Sequence, residues 1–286
     1  MDPACEAATP WRFFETDHLP EREGASYCGS VLLLLPPSEE KAQPAPSGDP
    51  VDLDVLAFPE LTATRRSVLD ALVETSARPD ALRRLMVGRS VAPQVEQNTR
   101  LSSLPARPAL EVYGGVLYQA LGWATLPAAV RGRAESGVVV VSGLWGALRA
   151  EDRIPPYRLN VCAQLVGLPA LEPLWRGLLG PVLARAAGPR LVVDLRSSSY
   201  RSVGTPDGAG DRTVVVRVQR DDGSAVGAHT GKQVRGQLAR HLLEAGDDVG
   251  TAVELAEALT DPWRAVAVPP PRPGTPWRLD VTLAPH

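Results

Sequence analysis

Apolar residues in this chain fall into short unbroken runs, separated by longer segments in which they recur at helical spacing. The runs are Val31-Leu32-Leu33-Leu34-Leu35, Val138-Val139-Val140-Val141 and Leu191-Val192-Val193-Asp194-Leu195. Each is too short for a core helix and too uniformly apolar for a half-exposed strand, so each predicts a strand buried on both faces. Between the second and third runs, Leu171–Ala187 sets Leu171, Leu174, Trp175, Leu178, Leu179, Val182 and Leu183 along one side of a helix. Strand, helix, strand in that order predicts βαβ crossovers. The expected fold class is α/β, a single compact domain with a mostly parallel central sheet flanked by helices.

Weaker patterns fill in the rest. Residues 59–72 and 80–87 read as amphipathic helices joined by Ser76-Ala77-Arg78-Pro79, a helical-hairpin candidate. Thr213–Gln219 alternates through Val214, Val216 and Val218 and predicts a further strand whose antiparallel setting is open, with Asp221-Asp222-Gly223-Ser224 as its turn. A helix over about 232–245 buries Val234, Leu238 and Leu242 and turns Lys232, Gly236 and Arg240 to nearly the opposite side, presenting cations with a glycine gap for close approach. Residues 251–259 read as a short acidic helix. Residues 1–29 lack periodicity and are expected to be a loosely ordered extension. The main domain then spans 30–268, and 269–286 is read as a Pro-rich linker followed by an edge strand over Trp277–Leu283.

The three buried strands end alike, in hydroxyl and charge. The first exits into Pro36-Pro37-Ser38-Glu39-Glu40-Lys41 and the third into Arg196-Ser197-Ser198-Ser199-Tyr200-Arg201. The second exits into Ser142-Gly143-Leu144-Trp145-Gly146-Ala147-Leu148-Arg149, followed by Asp152, Arg153, a rigid Pro155-Pro156 step, Tyr157 and Arg158. Gly146 is expected to permit close backbone approach. Parallel strands bring such exits to one edge, where open α/β sheets bind ligands. In Tyr113-Gly114-Gly115-Val116-Leu117-Tyr118 a glycine pair opens a helix; its amides can hold an anion, or its tyrosines can simply pack in the core.

Composition narrows the chemistry. The net charge of −3 argues against a uniformly basic surface, but residues 196–240 hold eight cations against four acids, which allows a local basic face. Of thirty cationic residues only Lys41 and Lys232 are lysine. A lysine kept against that bias suggests a compact amine used as a point charge or as a reactive group. Three cysteines (Cys5, Cys28, Cys162) and four histidines (His18, His229, His241, His286) show no ligand spacing, so no metal site or cofactor is expected. No run is long enough to span a membrane, and the amino terminus has no apolar signal core. A cytoplasmic protein, with a monomer favoured, is expected.

The blocks Leu35-Pro36-Pro37-Ser38-Glu39-Glu40-Lys41, Tyr113-Gly114-Gly115-Val116-Leu117-Tyr118, Ser142 through Arg149, Pro156-Tyr157-Arg158, Asp194-Leu195-Arg196-Ser197 with Tyr200, and Lys232 with Arg235-Gly236 together resemble the YaaA peroxide stress resistance family over about residues 31–245. The resemblance implies a helix-hairpin-helix-like element, a basic cleft that binds DNA, and a role in limiting oxidative damage by lowering free intracellular iron. On the family's motif positions stand Lys41, Ser142, Arg149, Asp152, Tyr157, Arg158, Ser197, Tyr200, Lys232 and Arg235.

Two readings follow. As a nucleic-acid binder without sequence preference, Arg149, Arg158, Arg196, Arg201, Lys232, Arg235 and Arg240 would meet phosphates, with Ser197 adding a hydroxyl and Tyr157 or Tyr200 available to stack. As an enzyme on a nucleotide, nucleoside or other anionic small molecule, in a biosynthetic tailoring step for example, Lys41, Ser142, Asp152 and Lys232 would be the catalytic set. Lys41 or Lys232 would then be nucleophile or acid–base group, oriented or deprotonated by Glu39 or Asp152. That chemistry requires a depressed lysine pKa, which a neighbouring arginine in a dry pocket supplies.

Overall fold

The computed structural model describes residues 31–246 and 248–283. The amino-terminal extension, with Cys5, His18 and Cys28, and the terminal His286 lie outside the described residues.

In chain order the elements are β1 (Val31–Leu35), α1 (Thr62–Ser76), α2 (Ala81–Arg84), α3 (Ala92–Asn98), β2 (Arg107–Pro108), α4 (Ala109–Val112), α5 (Gly115–Leu121), α6 (Ala128–Gly137), β3 (Val138–Ser142), β4 (Gly146–Leu148), β5 (Arg153–Ile154), α7 (Leu171–Ala187), β6 (Leu191–Asp194), α8 (Ser198–Arg201), β7 (Thr213–Gln219), α9 (Ala228–Ala245), α10 (Ala252–Ala258), β8 (Trp263–Val268) and β9 (Trp277–Leu283). Seven strands form one sheet in the order β4-β3-β1-β6-β7-β9-β8. The pairs β1–β3, β1–β6, β6–β7 and β7–β9 are parallel, and only the outermost strands β4 and β8 run antiparallel to their neighbours.

The three apolar runs are the sheet's centre. Leu32 to Leu35 and Val138 to Val141 are fully buried, as strands covered on both faces require. From β1 the chain crosses to β3 on one side, then returns over β1 to β6 and continues outward to β7. Right-handed crossovers in opposite directions set their helices on opposite faces, so α6 and α7 sandwich the sheet. The connections leaving β1 and β6 therefore diverge, and the crevice between those two strand ends is the sheet's switch point.

Several expectations are corrected. β7 is parallel to both of its neighbours. β9 forms over the expected residues but is an inner strand, covered by β8, which the sequence patterning did not reveal. The second helix of the hairpin shrinks to the four residues of α2, where Asp80 gathers Arg78, Arg83 and Arg84; α1 packs against α3 as well. No helix among the described residues is long and apolar enough to cross a membrane.

Candidate functional site

The segment leaving β1 is held rigidly. Lys41 bridges the backbone of Tyr113, Ala42 N donates to Val112 O at 2.8 Å, and Gly114 N donates to Glu40 O at 2.9 Å. Gly115 is the glycine this contact requires. Gly115 has a φ of +78°, and a Cβ there would stand 2.8 Å from Ser38 Oγ, while one on Gly114 would make ordinary contact with Glu40. The pair packs α5 directly under the β1 exit, and Gly115 also borders a cavity there.

Ser142, at the end of β3, organises its own turn. Its Oγ accepts the amides of Leu144 at 3.1 Å and Trp145 at 3.2 Å, and lies 2.6 Å from the Tyr157 hydroxyl, which lies 3.0 Å from that of Tyr113. With both oxygen lone pairs occupied by amides, Ser142 has only its proton left to give. The chain therefore runs Ser142 to Tyr157 to Tyr113. Burial pushes the Tyr113 phenol up to about 12 and raises Tyr157 well above its ordinary value, so both keep their protons near neutrality. The close approach expected at Gly146 is made by the Trp175 ring, whose Nε1 donates to Gly143 O at 2.9 Å.

Lys41 lies against this chain. Its amine donates to Ser38 O at 2.6 Å and sits 4.1 Å from the Tyr157 ring centre and 5.6 Å from that of Tyr113. Desolvation among these walls lowers its pKa from 10.5 to about 7, with Glu39 opposing and Arg158 adding to the shift. The depression comes chiefly from burial, less from the arginine. Arg158 pairs with Glu39 at 2.6 Å, and its Nε is buried without a partner.

Two cavities flank the β1 exit and share Glu39 and Glu40 as a dividing wall. One, of about 410 Å³, is lined by Lys41, Tyr157, Arg158, Gln94 and Gln97. The other, of about 460 Å³, lies at the switch point between the β1 and β6 exits, with Ser38, Ser197, Tyr200, Lys232 and Arg235 in its walls. Arg235 is half-buried, its Nε is enclosed without a partner, and its Nη1 reaches only the carbonyl of Gly231 in its own helix, at 3.3 Å. Desolvation and nearby Arg201 lower its pKa against the pull of Asp194. Lys232 is exposed at the rim.

Lys41, Ser142, Tyr157, Arg158, Ser197, Tyr200, Lys232 and Arg235 thus gather at the carboxyl ends of β1, β3 and β6. Three expected site residues lie elsewhere, and a fourth, Arg196, follows β6 but is sealed inside. Arg149 follows β4 back to the opposite end of β3, where it donates to Ser136 O at 2.7 Å and stacks on Phe58. Asp152 accepts the amides of Ala57 and Arg149, both at 2.8 Å, and desolvation raises its pKa; it ties a loop. Arg196 is fully buried, forked onto Asp194 at 2.9 and 2.7 Å and bonded to the carbonyls of Tyr200 and Gly204, so no phosphate can reach it. Arg240 is spent on Leu121 O, Thr125 Oγ1 and Glu244, at the carboxyl end of α5. The gap at Gly236 faces protein: a Cβ there would collide with Leu117 O.

Supporting residues were missed. Asn98 is fully buried and clamps Arg158 through its backbone N–H at 2.8 Å and O at 2.7 Å, and Gln97 holds Pro156 O. Arg65, also fully buried, donates to the carbonyls of Ala57, Trp145 and Ala147. On a lone helix these three look like solvent-facing residues.

A doubly wound α/β protein with unpaired cations over a cavity at its switch point is the class that fold and site define. A family model described as peroxide stress protein YaaA matches residues 31–264, which takes in every wall of both cavities, and the chain belongs to that family. UPF0246 protein SCO2297 of Streptomyces coelicolor is 43% identical over 257 residues, covering 88% of this chain and 98% of its own. UPF0246 protein CE1889 of Corynebacterium efficiens is 39% identical over 232 residues, covering 79% and 91%.

Proposed function

We propose that this family member acts in the cytoplasm by binding a phosphate group, carried by nucleic acid or by a nucleotide, in the switch-point cavity, and that this binding is its route to limiting iron-driven oxidative damage. The observation that carries the reading is Arg235: a half-enclosed guanidinium with a buried, unpartnered Nε, beside Lys232 and Arg201. A buried donor without an acceptor costs free energy, and a turn of the Arg235 side chain into the cavity it lines would bring the guanidinium to an anion. Glu40 also lines the cavity and Glu39 is already engaged by Arg158, so the positive charge there is modest and local.

That locality bears on what carries the phosphate. With Arg149, Arg196 and Arg240 committed elsewhere, the reading does not need a long basic groove. One phosphodiester of a DNA strand or one nucleotide, recognised without regard to base sequence, fits a cavity of about 460 Å³. The test is anisotropy of a labelled DNA duplex, with free mononucleotides as competitors. Saturable binding displaced by nucleotide phosphate supports one shared site. Failure of both duplex and nucleotides to bind at low salt would overturn the reading.

A further inference from the structure

The smaller cavity holds chemistry that phosphate binding does not use. We propose that Lys41 is the reacting amine of a second site, in the cavity of about 410 Å³ it lines with Tyr157 and Arg158, and that its ligand is a small anionic carbonyl compound of the oxo-acid class.

The geometry supplies each part. The amine has one N–H committed to Ser38 O, and two aromatic faces cover it, while the pinned backbone of residues 40–42 keeps it from swinging away. The groups facing it are Glu39 and Arg158 from the strand exits and the phenols of Tyr113 and Tyr157. Arg158 lines the same cavity, and its guanidinium charge draws a carboxylate there. Burial leaves a large fraction of the amine neutral near pH 7, the form that attacks carbonyl carbon.

The step is balanced without any oxidant. The nitrogen lone pair of Lys41 bonds to the carbonyl carbon and the C=O π pair moves to oxygen, which takes a proton. The resulting carbinolamine loses its hydroxyl with a proton as one water, leaving an imine. The Tyr157 ring face stands 4.1 Å from the reacting nitrogen, and the protons can pass through water in the cavity that both residues line. Because Lys232 lies in the other cavity, this inference stands or falls apart from the phosphate reading.

The chain contains its own control, having only two lysines. The full-length protein is incubated with glyoxylate and cyanoborohydride at pH 7, digested, and the reduced adduct measured by mass spectrometry on the Lys41 and Lys232 peptides. Lys41 is expected to carry at least about tenfold more adduct than exposed Lys232, because so little of an ordinary lysine is neutral at that pH. The Lys41 adduct rate should rise through about pH 7, and Arg158→Gln should lower it while leaving Lys232 unchanged. Equal labelling of the two lysines, or labelling of Lys232 alone, would overturn the proposal without reference to any variant.

Discussion

At the scale of single residues, Lys41 and Ser142 each do two things. Lys41 has a folded-state pKa of about 7 against 10.5 when unfolded, so between those values the unfolded chain binds the extra proton. Stability linked to Lys41 therefore rises as pH climbs from about 7 towards 10.5, and is absent below 7 where both states are protonated. Urea unfolding of the natural chain and of Lys41→Met should show the natural chain gaining on the variant over that window; a constant difference would mean the amine is not desolvated. Ser142→Ala strips two buried amides and Tyr157 of a partner, and should lower unfolding free energy by about 1–3 kcal/mol in the same assay. Both residues were legible in the sequence, Lys41 because lysine is so rare here and Ser142 because it ends a buried run. Asn98, Gln97 and Arg65 were not, because a polar residue on a helix looks solvated until the segment that buries it is known.

At the scale of elements, the glycines report which surfaces touch. Gly236 lets α9 press on α5, so Gly236→Ala should destabilise the fold by about 1–3 kcal/mol through overpacking. Gly132, on the exposed face of α6 with nothing near its missing Cβ, is the counter-case: Gly132→Ala should stabilise by about 0.5–1 kcal/mol. Thermal melts of the two variants moving in the same direction would contradict this account of α9. The uniformly apolar elements, β1, β3, β6 and α7, could be read from their pattern with little error at the ends. Elements without such a pattern could not. α2, α3 and β5 are held by contacts from distant segments, and β8 owes its place to pairing with β9.

At the scale of the whole molecule, the crossover directions decide where the site lies. The polar exits were visible as sequence, and their gathering on one edge follows from parallel strands. Which cations share a cavity depends on the antiparallel return through β4, which carries Arg149 away, and on the packing of α9, which turns Arg240 onto α5. No local pattern encodes either. The measurement that bears most directly on the central claim is the salt dependence of DNA binding by the natural chain and by Lys232→Ala and Arg235→Ala, read by fluorescence anisotropy. The account predicts that log K falls linearly with log salt, that each variant weakens binding, and that loss of both cations lowers the slope by roughly one, the share of the single phosphate they hold. Natural-chain affinity and slope retained in both variants would place any phosphate contact elsewhere and contradict the account.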